Sequence, residues 1–475
     1  MHYLLGIDLG SSSVKAAVVD VDSGLPVATA SYPPTEAPIK ALRPGWAEQR
    51  PEDWWQYTRM AIAILSENNI QLSSVQAIGV SYQMHGLVCI DRNLQPLRDA
   101  IIWCDSRGVS YGAQAPIPGN FTAAKLAWVK EHEPSLFDKI YKIMLPGDYL
   151  AMRLTGTPAT TASGLSEMML WDFANEKPSD SMMDYFGFPS SILPQLVPTF
   201  AEQGRVTSDA AQQLGIPAGI PVSYRAGDQP NNAFSLDVML PGQFASTAGT
   251  SGVVYGILDS HHQSRVTSNP SINIFLHVNH NIGLMHCVNG CGILNSWLHR
   301  NVAPDLTYDQ MNQVAASVPV GSDDLTVIPF GNGAERILLN RNIGASIHGL
   351  DFNRHGQAHL LRAAQEGIAF SLMYGMEAMT DSSSPNITVI RVGRANLFLS
   401  PVFRKTLADV SGATIELYDT DGAVGAARGA GLGAGIYSSQ AEAFASSTPL
   451  TFIQPQSDNN CRQAYLRWKQ ILSKV

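Results

Sequence analysis

The chain has 475 residues, of which 45% are hydrophobic and 15% charged, enough for two large domains with substantial cores and unlike a disordered segment. Its formal net charge of −9 argues against a nucleic-acid surface, which needs a basic stripe or patch, but leaves ATP open because phosphates are held by local backbone dipoles and a metal ion. No apolar run reaches spanning length, the start lacks a signal-peptide layout, and five scattered cysteines make no disulfide framework, so no membrane partner and a cytoplasmic location are expected.

The apolar run Leu4-Leu5-Gly6-Ile7 ends in Asp8, and a tight Gly10-Ser11-Ser12-Ser13 loop follows before β-branched residues resume at Val14. A turn at 20–24 leads to a third short strand at 25–30. Such a loop turns backbone N–H groups toward one point, a cradle for phosphate oxygens. An ordinary hairpin with a polar turn is the alternative. The stretch has neither the three-glycine dinucleotide turn nor the Gly-Lys-Ser/Thr ending of a P-loop.

Pro51 opens a helix whose first turn carries Glu52 and Asp53, suited to its positive end. Trp54 and Trp55 have the spacing of core residues rather than of sugar-stacking rings. Residues 75–81 form a strand that leaves through Tyr82-Gln83-Met84-His85-Gly86, with 87–91 as its paired strand. In that exit a glycine permits close approach and a histidine offers both donor and acceptor to hydroxyls, while a structural histidine is the alternative. Ile101-Ile102-Trp103-Cys104-Asp105-Ser106-Arg107 reads, by its residues, as a strand followed by an ordinary ion pair. Helices at 122–134, carrying Lys125 and Trp128, and at 145–156, closed by Gly156, read as scaffold.

Residues 222–226 are again a strand running into an acid, at Gly227-Asp228-Gln229. Proline and glycine at Leu240-Pro241-Gly242 divide the chain into 1–240 and 241–475. Beyond them, strand, Gly249-Thr250-Ser251-Gly252 loop and strand repeat the device seen at Gly10. Two phosphate-type hairpins in two halves imply a duplicated ATP-binding architecture with a cleft between lobes. His277, His280, His286, Cys287 and Cys291 fit none of the paired zinc spacings, and 284–288 reads as a buried strand. Glu335 and Arg336 read as a structural pair. The glycine–alanine alternation at 422–435 allows a closely packed helix, and Val424, Leu432 and Ile436 argue against a linker. Residues 462–472 read as an amphipathic terminal helix.

Asp8-Leu9-Gly10-Ser11-Ser12-Ser13-Val14-Lys15, Gly227-Asp228-Gln229 and Gly249-Thr250-Ser251-Gly252 together resemble the FGGY carbohydrate kinases, within the actin-like ATPase superfamily. Thr122-Ala123-Ala124-Lys125-Leu126-Ala127-Trp128 is similar to one family signature. The stretch from Ala345 to Gly367 is similar to another, departing at Gln365, where the family has an apolar residue. Gln83-Met84-His85-Gly86 resembles the sugar-site motif of the family's xylulokinases.

The resemblance implies an α/β, two-lobed actin-like (ribonuclease H-like) fold, each lobe a mixed β-sheet flanked by helices, with the sugar in 1–240 and the nucleotide in 241–475. It implies Asp228 as general base and, with Asp8, as ligand of Mg2+. Gln83, Met84, His85, Trp103, Asp105 and Gln229 would hold the sugar. Gly10, Ser11, Ser12, Lys15, Gly249, Thr250, Ser251, Gly292, Gly393 and Asn396 would hold ATP. Gly393-Arg394-Ala395-Asn396 stands where the family has a triple-glycine adenosine loop, and its bulkier side chains leave less room for a base. The expected reaction is ATP-dependent phosphorylation of a ketopentose on its terminal hydroxyl. Kinases of ribulose, glycerol or gluconate are the nearer rivals and a non-catalytic actin-like nucleotide switch the farther one. A homodimer is compatible with the resemblance.

Overall fold

The Gly10 N–H donates to the Ser13 carbonyl at 3.0 Å, closing the turn between strands β1 (Tyr3–Leu9) and β2 (Val14–Asp20). The structure, a computed structural model, describes residues 1–114, 119–258, 270–380, 386–456 and 459–475. The chain forms two units, Met1–Asp237 with Leu276–His280 and Asp421–Ser447, and Val238–Phe275 with Asn281–Thr420 and Thr448–Val475.

In the first unit β3 (Pro26–Tyr32) completes an antiparallel meander with β1 and β2. Helix α1 (Pro51–Glu67) packs on it with Trp54, Trp55, Ala61, Ile62 and Leu65 buried. Then β4 (Val75–Tyr82) lies parallel to β1. Helices α2 (Thr122–His132), α3 (Pro146–Thr155) and α4 (Ala162–Glu167) precede β5 (Val222–Gly227), which is parallel to β4 and runs straight into α5 (Asp228–Ser235). The sheet order is β5-β4-β1-β2-β3. Leu4, Leu5, Ile7 and Leu9 have no exposed surface, so β1 is an almost continuous apolar run covered on both faces. Asp8 pairs in register with Ser81, which pairs with Ala226, and one step on Leu9, Tyr82 and Gly227 stand side by side. The loops after β1, β4 and β5 therefore leave at one edge, the carboxyl ends of parallel strands, where open α/β sheets bind ligands.

The second unit repeats this topology. Strands β6 (Gln243–Ala248), β7 (Gly252–Leu258) and β8 (Ile282–Val288) form an antiparallel meander. After α6 (Gly292–Asn301) and α7 (Gln357–Thr380), β9 (Val389–Gly393) lies parallel to β6. After α8 (Pro401–Ser411), β10 (Thr414–Tyr418) lies parallel to β9. The central order β8-β7-β6-β9-β10 matches β3-β2-β1-β4-β5 strand for strand. The duplication is one of design, carried by little shared sequence.

The chain then returns to the first unit as α9 (Gly422–Gly433), which packs on β1, β4 and β5. This departs from the 241–475 division, and small residues on both surfaces are the reason. A β-carbon built on Gly6 would lie 1.8 Å from the Ala423 carbonyl oxygen, and one on Gly79 would lie 1.9 Å from that of Ala426. The glycine–alanine run is thus a close-packed helix as its composition implies, but the sheet it fits is that of the first half. The terminal helix α10 (Asn459–Leu472) buries Cys461, Ala464, Tyr465, Trp468 and Leu472 along one side. Among the described residues no helix is long and apolar enough to cross a membrane.

Candidate active site

Asp8 stands one residue before the end of β1, where Ser81 Oγ donates to its Oδ1 at 2.7 Å. Across the β1–β2 pair is Lys15, whose Nζ meets Oδ2 of Asp421 at 3.1 Å. Asp421 also caps α9, its Oδ1 accepting from the Val424 N–H at 3.0 Å. Burial, seconded by the Asp421 charge, raises the Asp8 carboxyl above its usual range against the pull of Ser81 and Lys15. Asp228 is the first residue of α5. Its carboxyl is pushed up to about 7, first by burial and then by the charge of Asp8, while hydrogen bonds from Gln229 act the other way. A carboxylate poised near neutrality is suited to general-base work.

Two neighbouring acids, both raised and one of them by the charge of the other, fit a cation between or beside them. Among the described residues no three His, Cys, Asp or Glu side chains are grouped to hold an ion by themselves. Magnesium is a hard ion that takes one or two carboxylates and fills its shell with waters and phosphate oxygens.

The turn after β4 lies beside these acids. The Gln83 N–H donates to the Leu9 carbonyl at 2.7 Å, and its Nε2 donates to Oε1 of Gln49 at 3.1 Å, leaving its own buried Oε1 without a hydrogen bond. Gln49 in turn donates to the Ser11 carbonyl at 2.7 Å, tying this turn to the Gly10 loop. Met84 is buried against Gly227, where a β-carbon would lie 2.6 Å from Met84 Cγ. His85 has a φ of +59°, and its Nδ1 lies 3.2 Å from the Glu167 carbonyl oxygen. Burial, with the nearby Lys125 charge, lowers its pKa to about 3, so the imidazole is neutral.

The indole of Trp103 is 45% exposed and directs Nε1 to Ser11 Oγ at 3.4 Å, an accessible ring beside the first loop. Asp105 is different. It is wholly buried, and its oxygens accept from the Ala47 N–H and from the N–H, Nε and Nη2 of Arg107, the last three at 2.9, 2.9 and 2.8 Å. Arg107 also pairs with Glu48 at 2.8 Å and lies over the Trp46 ring. The carboxylate that the resemblance assigns to the sugar is thus taken up by an internal ion pair, because no oxygen is left facing outward.

Glu167, at the end of α4, was not legible as a site residue. Its Oε2 is 2.9 Å from where a Gly227 β-carbon would be, immediately before Asp228. Burial and the charges of Asp228 and Asp148 raise its carboxyl well above the ordinary value. Nothing in Ser166-Glu167-Met168 signals this, since the position is set by packing of α4 against β5.

In the second unit the loop between β6 and β7 sits on the start of α6. The Gly292 N–H donates to the Gly249 carbonyl at 2.9 Å, and the Ile293 N–H to that of Thr250 at 3.2 Å. A β-carbon on Gly292 would lie 2.2 Å from the Gly249 oxygen. Ser251 bonds the neighbouring Cys287 thiol. Gly393 ends β9 alongside β6, and Asn396, at a φ of +53°, brings its Nδ2 to 3.5 Å from a β-carbon built on Gly249. The fold gathers Gly249, Thr250, Gly292 and Asn396 at the end of one sheet. Glu335 does not pair with Arg336. Its carboxylate accepts from the Asn289 N–H at 3.0 Å, and burial raises it to about 8.

The pattern of the FGGY family of carbohydrate kinases, N-terminal domain, matches residues 3–115 and 113–235, and that of its C-terminal domain matches 244–434. A xylulose kinase of Bacillus subtilis is 30% identical over 460 residues, covering 93% of this chain and 90% of that protein. The L-xylulose/3-keto-L-gulonate kinase of Escherichia coli is 29% identical over 473 residues, covering 93% and 90%. Among solved structures, a xyloylose kinase from Brucella ovis is similar with a TM-score of 0.89 at 25% identity, covering 100% of this chain and 99% of that one.

Proposed function

We propose, for a chain that belongs to the FGGY family of carbohydrate kinases and is an ATP-dependent sugar kinase, that the sugar is the ketopentose D-xylulose and the product D-xylulose 5-phosphate. The observation that carries the reading is the adjacency of Asp228, with its carboxyl near neutrality, to the Met84-His85 turn at the ends of neighbouring parallel strands. The alternative of a non-catalytic nucleotide switch falls with the family assignment.

Phosphoryl transfer asks for positioning and charge neutralisation more than for covalent help. Asp228 accepts the proton of the terminal hydroxyl as that oxygen bonds the γ-phosphorus and the bond from phosphorus to the ADP oxygen breaks. Neutral His85 and Met84 orient the ketose, His85 through hydroxyl hydrogen bonds that carry no net charge. Gln83, with its orphan Oε1, and Gln229 offer further hydroxyl contacts, and Trp103 offers an apolar edge. Asp105 supports Arg107 and is left out of the sugar set.

Asp8 would hold Mg2+ through water, with Asp228 near; the ion, when bound, neutralises charge on the phosphates. Gly10, Ser11 and Ser12 in the first unit, and Gly249, Thr250 and Ser251 in the second, are each proposed to donate to phosphate oxygens. Lys15, already paired with Asp421, stands by the first of these loops. Gly292 backs the second loop, and Gly393 with Asn396 would border adenosine. The location proposed is the cytoplasm.

The Escherichia coli relative named for L-xylulose and 3-keto-L-gulonate favours, as a second reading, another ketose. ADP release measured with D-xylulose, L-xylulose, D-ribulose, 3-keto-L-gulonate, glycerol and gluconate separates them. D-xylulose is expected to give the highest kcat/KM. Release no faster with D-xylulose than without sugar would reject the assignment.

A further inference from the structure

The turn that carries Met84 and His85 is held by one helix at three points. Phe121, the residue before α2, stacks its ring on the His85 imidazole at a centroid separation of 3.8 Å and an angle of 29°. Thr122 Oγ1 donates to the Gly86 carbonyl at 3.3 Å. Three residues on, and so on the same helix face, Lys125 Nζ donates to the His85 carbonyl at 2.7 Å. His85 needs such support, because its φ of +59° lies in the left-handed region that costs a residue other than glycine.

Lys125 is in a demanding place for an amine. It has no exposed surface, and burial lowers its pKa to about 7, with Asp105 the largest influence opposing that. A leucine or methionine would fill the same volume without burying an amine. What the lysine adds, besides a charge near Asp105, is a donor that reaches the His85 carbonyl.

We infer that Lys125 is a positioning residue for sugar recognition, fixing through the His85 carbonyl the left-handed turn that presents Met84 and His85, and thereby setting ketose affinity and discrimination between epimers. The inference rests on the proposal that this turn is the sugar site. Its consequence comes from geometry: a shift of about 1 Å in a recognition group can cost up to about a hundredfold in rate.

Lys125→Met keeps length and apolar bulk and removes the donor. It is expected to raise the ketose KM about tenfold or more and to narrow the D-xylulose to D-ribulose ratio of kcat/KM, with the KM for ATP and the Tm little changed. Lys125→Arg, whose planar fork does not occupy the ammonium's place, is expected to fall between the two. A folded Lys125→Met enzyme with ketose KM and epimer ratio within twofold of the parent would overturn the inference. So would an equal rise in the KM values of ketose and ATP, the mark of a general structural role.

If Lys125→Met does not fold, Phe121→Leu and Thr122→Val release the other two grips. A ketose-selective rise in KM in either supports the clamp, and no rise in both overturns it. The parent enzyme tests the underlying reading separately, since absence of ketose-dependent ADP release rejects the sugar assignment whatever the variants do.

Discussion

Gly422 stands directly against the carboxylate of Asp8: a β-carbon built on it would lie 2.4 Å from Oδ2 and 2.8 Å from Cγ. Asp8 has little room to yield, being short, seated in the central strand and bonded to Ser81. Gly422→Ala should therefore turn Asp8 away from its place, with kcat falling about tenfold or more and the magnesium requirement rising. Initial rates over a magnesium titration at saturating ketose and ATP check this. A titration matching the parent enzyme would separate Asp8 from the metal.

Asp228→Asn should lower kcat by about 10²–10⁴, the range of one general base, with nucleotide binding retained. The same carboxyl predicts two pH effects. It must be ionised to accept a proton, so kcat/KM for the ketose should rise with pH through about 7 and level off above it. Its folded pKa is raised from 3.8, so the stability present below 3.8 is lost as pH rises to about 7. Asparagine has no such slope. Thermal melts without nucleotide or magnesium should show Asp228→Asn gaining on the parent between those limits, to a few degrees at pH 8, on the order expected for a kilocalorie-scale change.

Gly292→Ala tests the second unit. The added carbon would meet the Gly249 carbonyl oxygen at 2.2 Å, a backbone atom that cannot rotate aside. The Gly249-Thr250-Ser251 loop must move, and the KM for ATP should rise about tenfold or more while the ketose KM holds. Equal effects on both substrates would deny the loop a specific share in nucleotide binding.

These residues divide sharply in how legible they are. Asp8, the Gly10 loop and Asp228 could be read because a strand ending in an acid and a tight turn leaves a local pattern, repeated at Gly249. The close packing of α9 could be read from its glycines, but not its sheet, since Gly6 and Gly79 lie more than three hundred residues earlier. Asp105 shows why a carboxylate in a promising segment is ambiguous: a sequence does not reveal which oxygens are already occupied by Ala47 and Arg107. Lys125 lies within a visible family signature, yet its contact with His85 crosses 40 residues and exists only in the fold. Glu167 has no local signal at all, because its environment is made by β5 and the acids beside it.

That environment makes Glu167→Gln informative. Burial, Asp228 and Asp148 all disfavour the charged form, and Tyr82 pulls the other way too weakly to prevent a large upward shift. The side chain is thus biased toward its protonated form, which glutamine mimics in shape and charge. A carboxyl whose folded pKa exceeds its ordinary 4.5 gives up stability as pH climbs from that value toward the folded one. The glutamine variant lacks this loss. The two proteins should melt together near pH 4.5, and the gap in Tm should open in favour of Glu167→Gln as pH increases, reaching a few degrees. Parallel Tm curves across the range would mean that Glu167 ionises freely, and that the wall behind Gly227 is wetter than its burial implies.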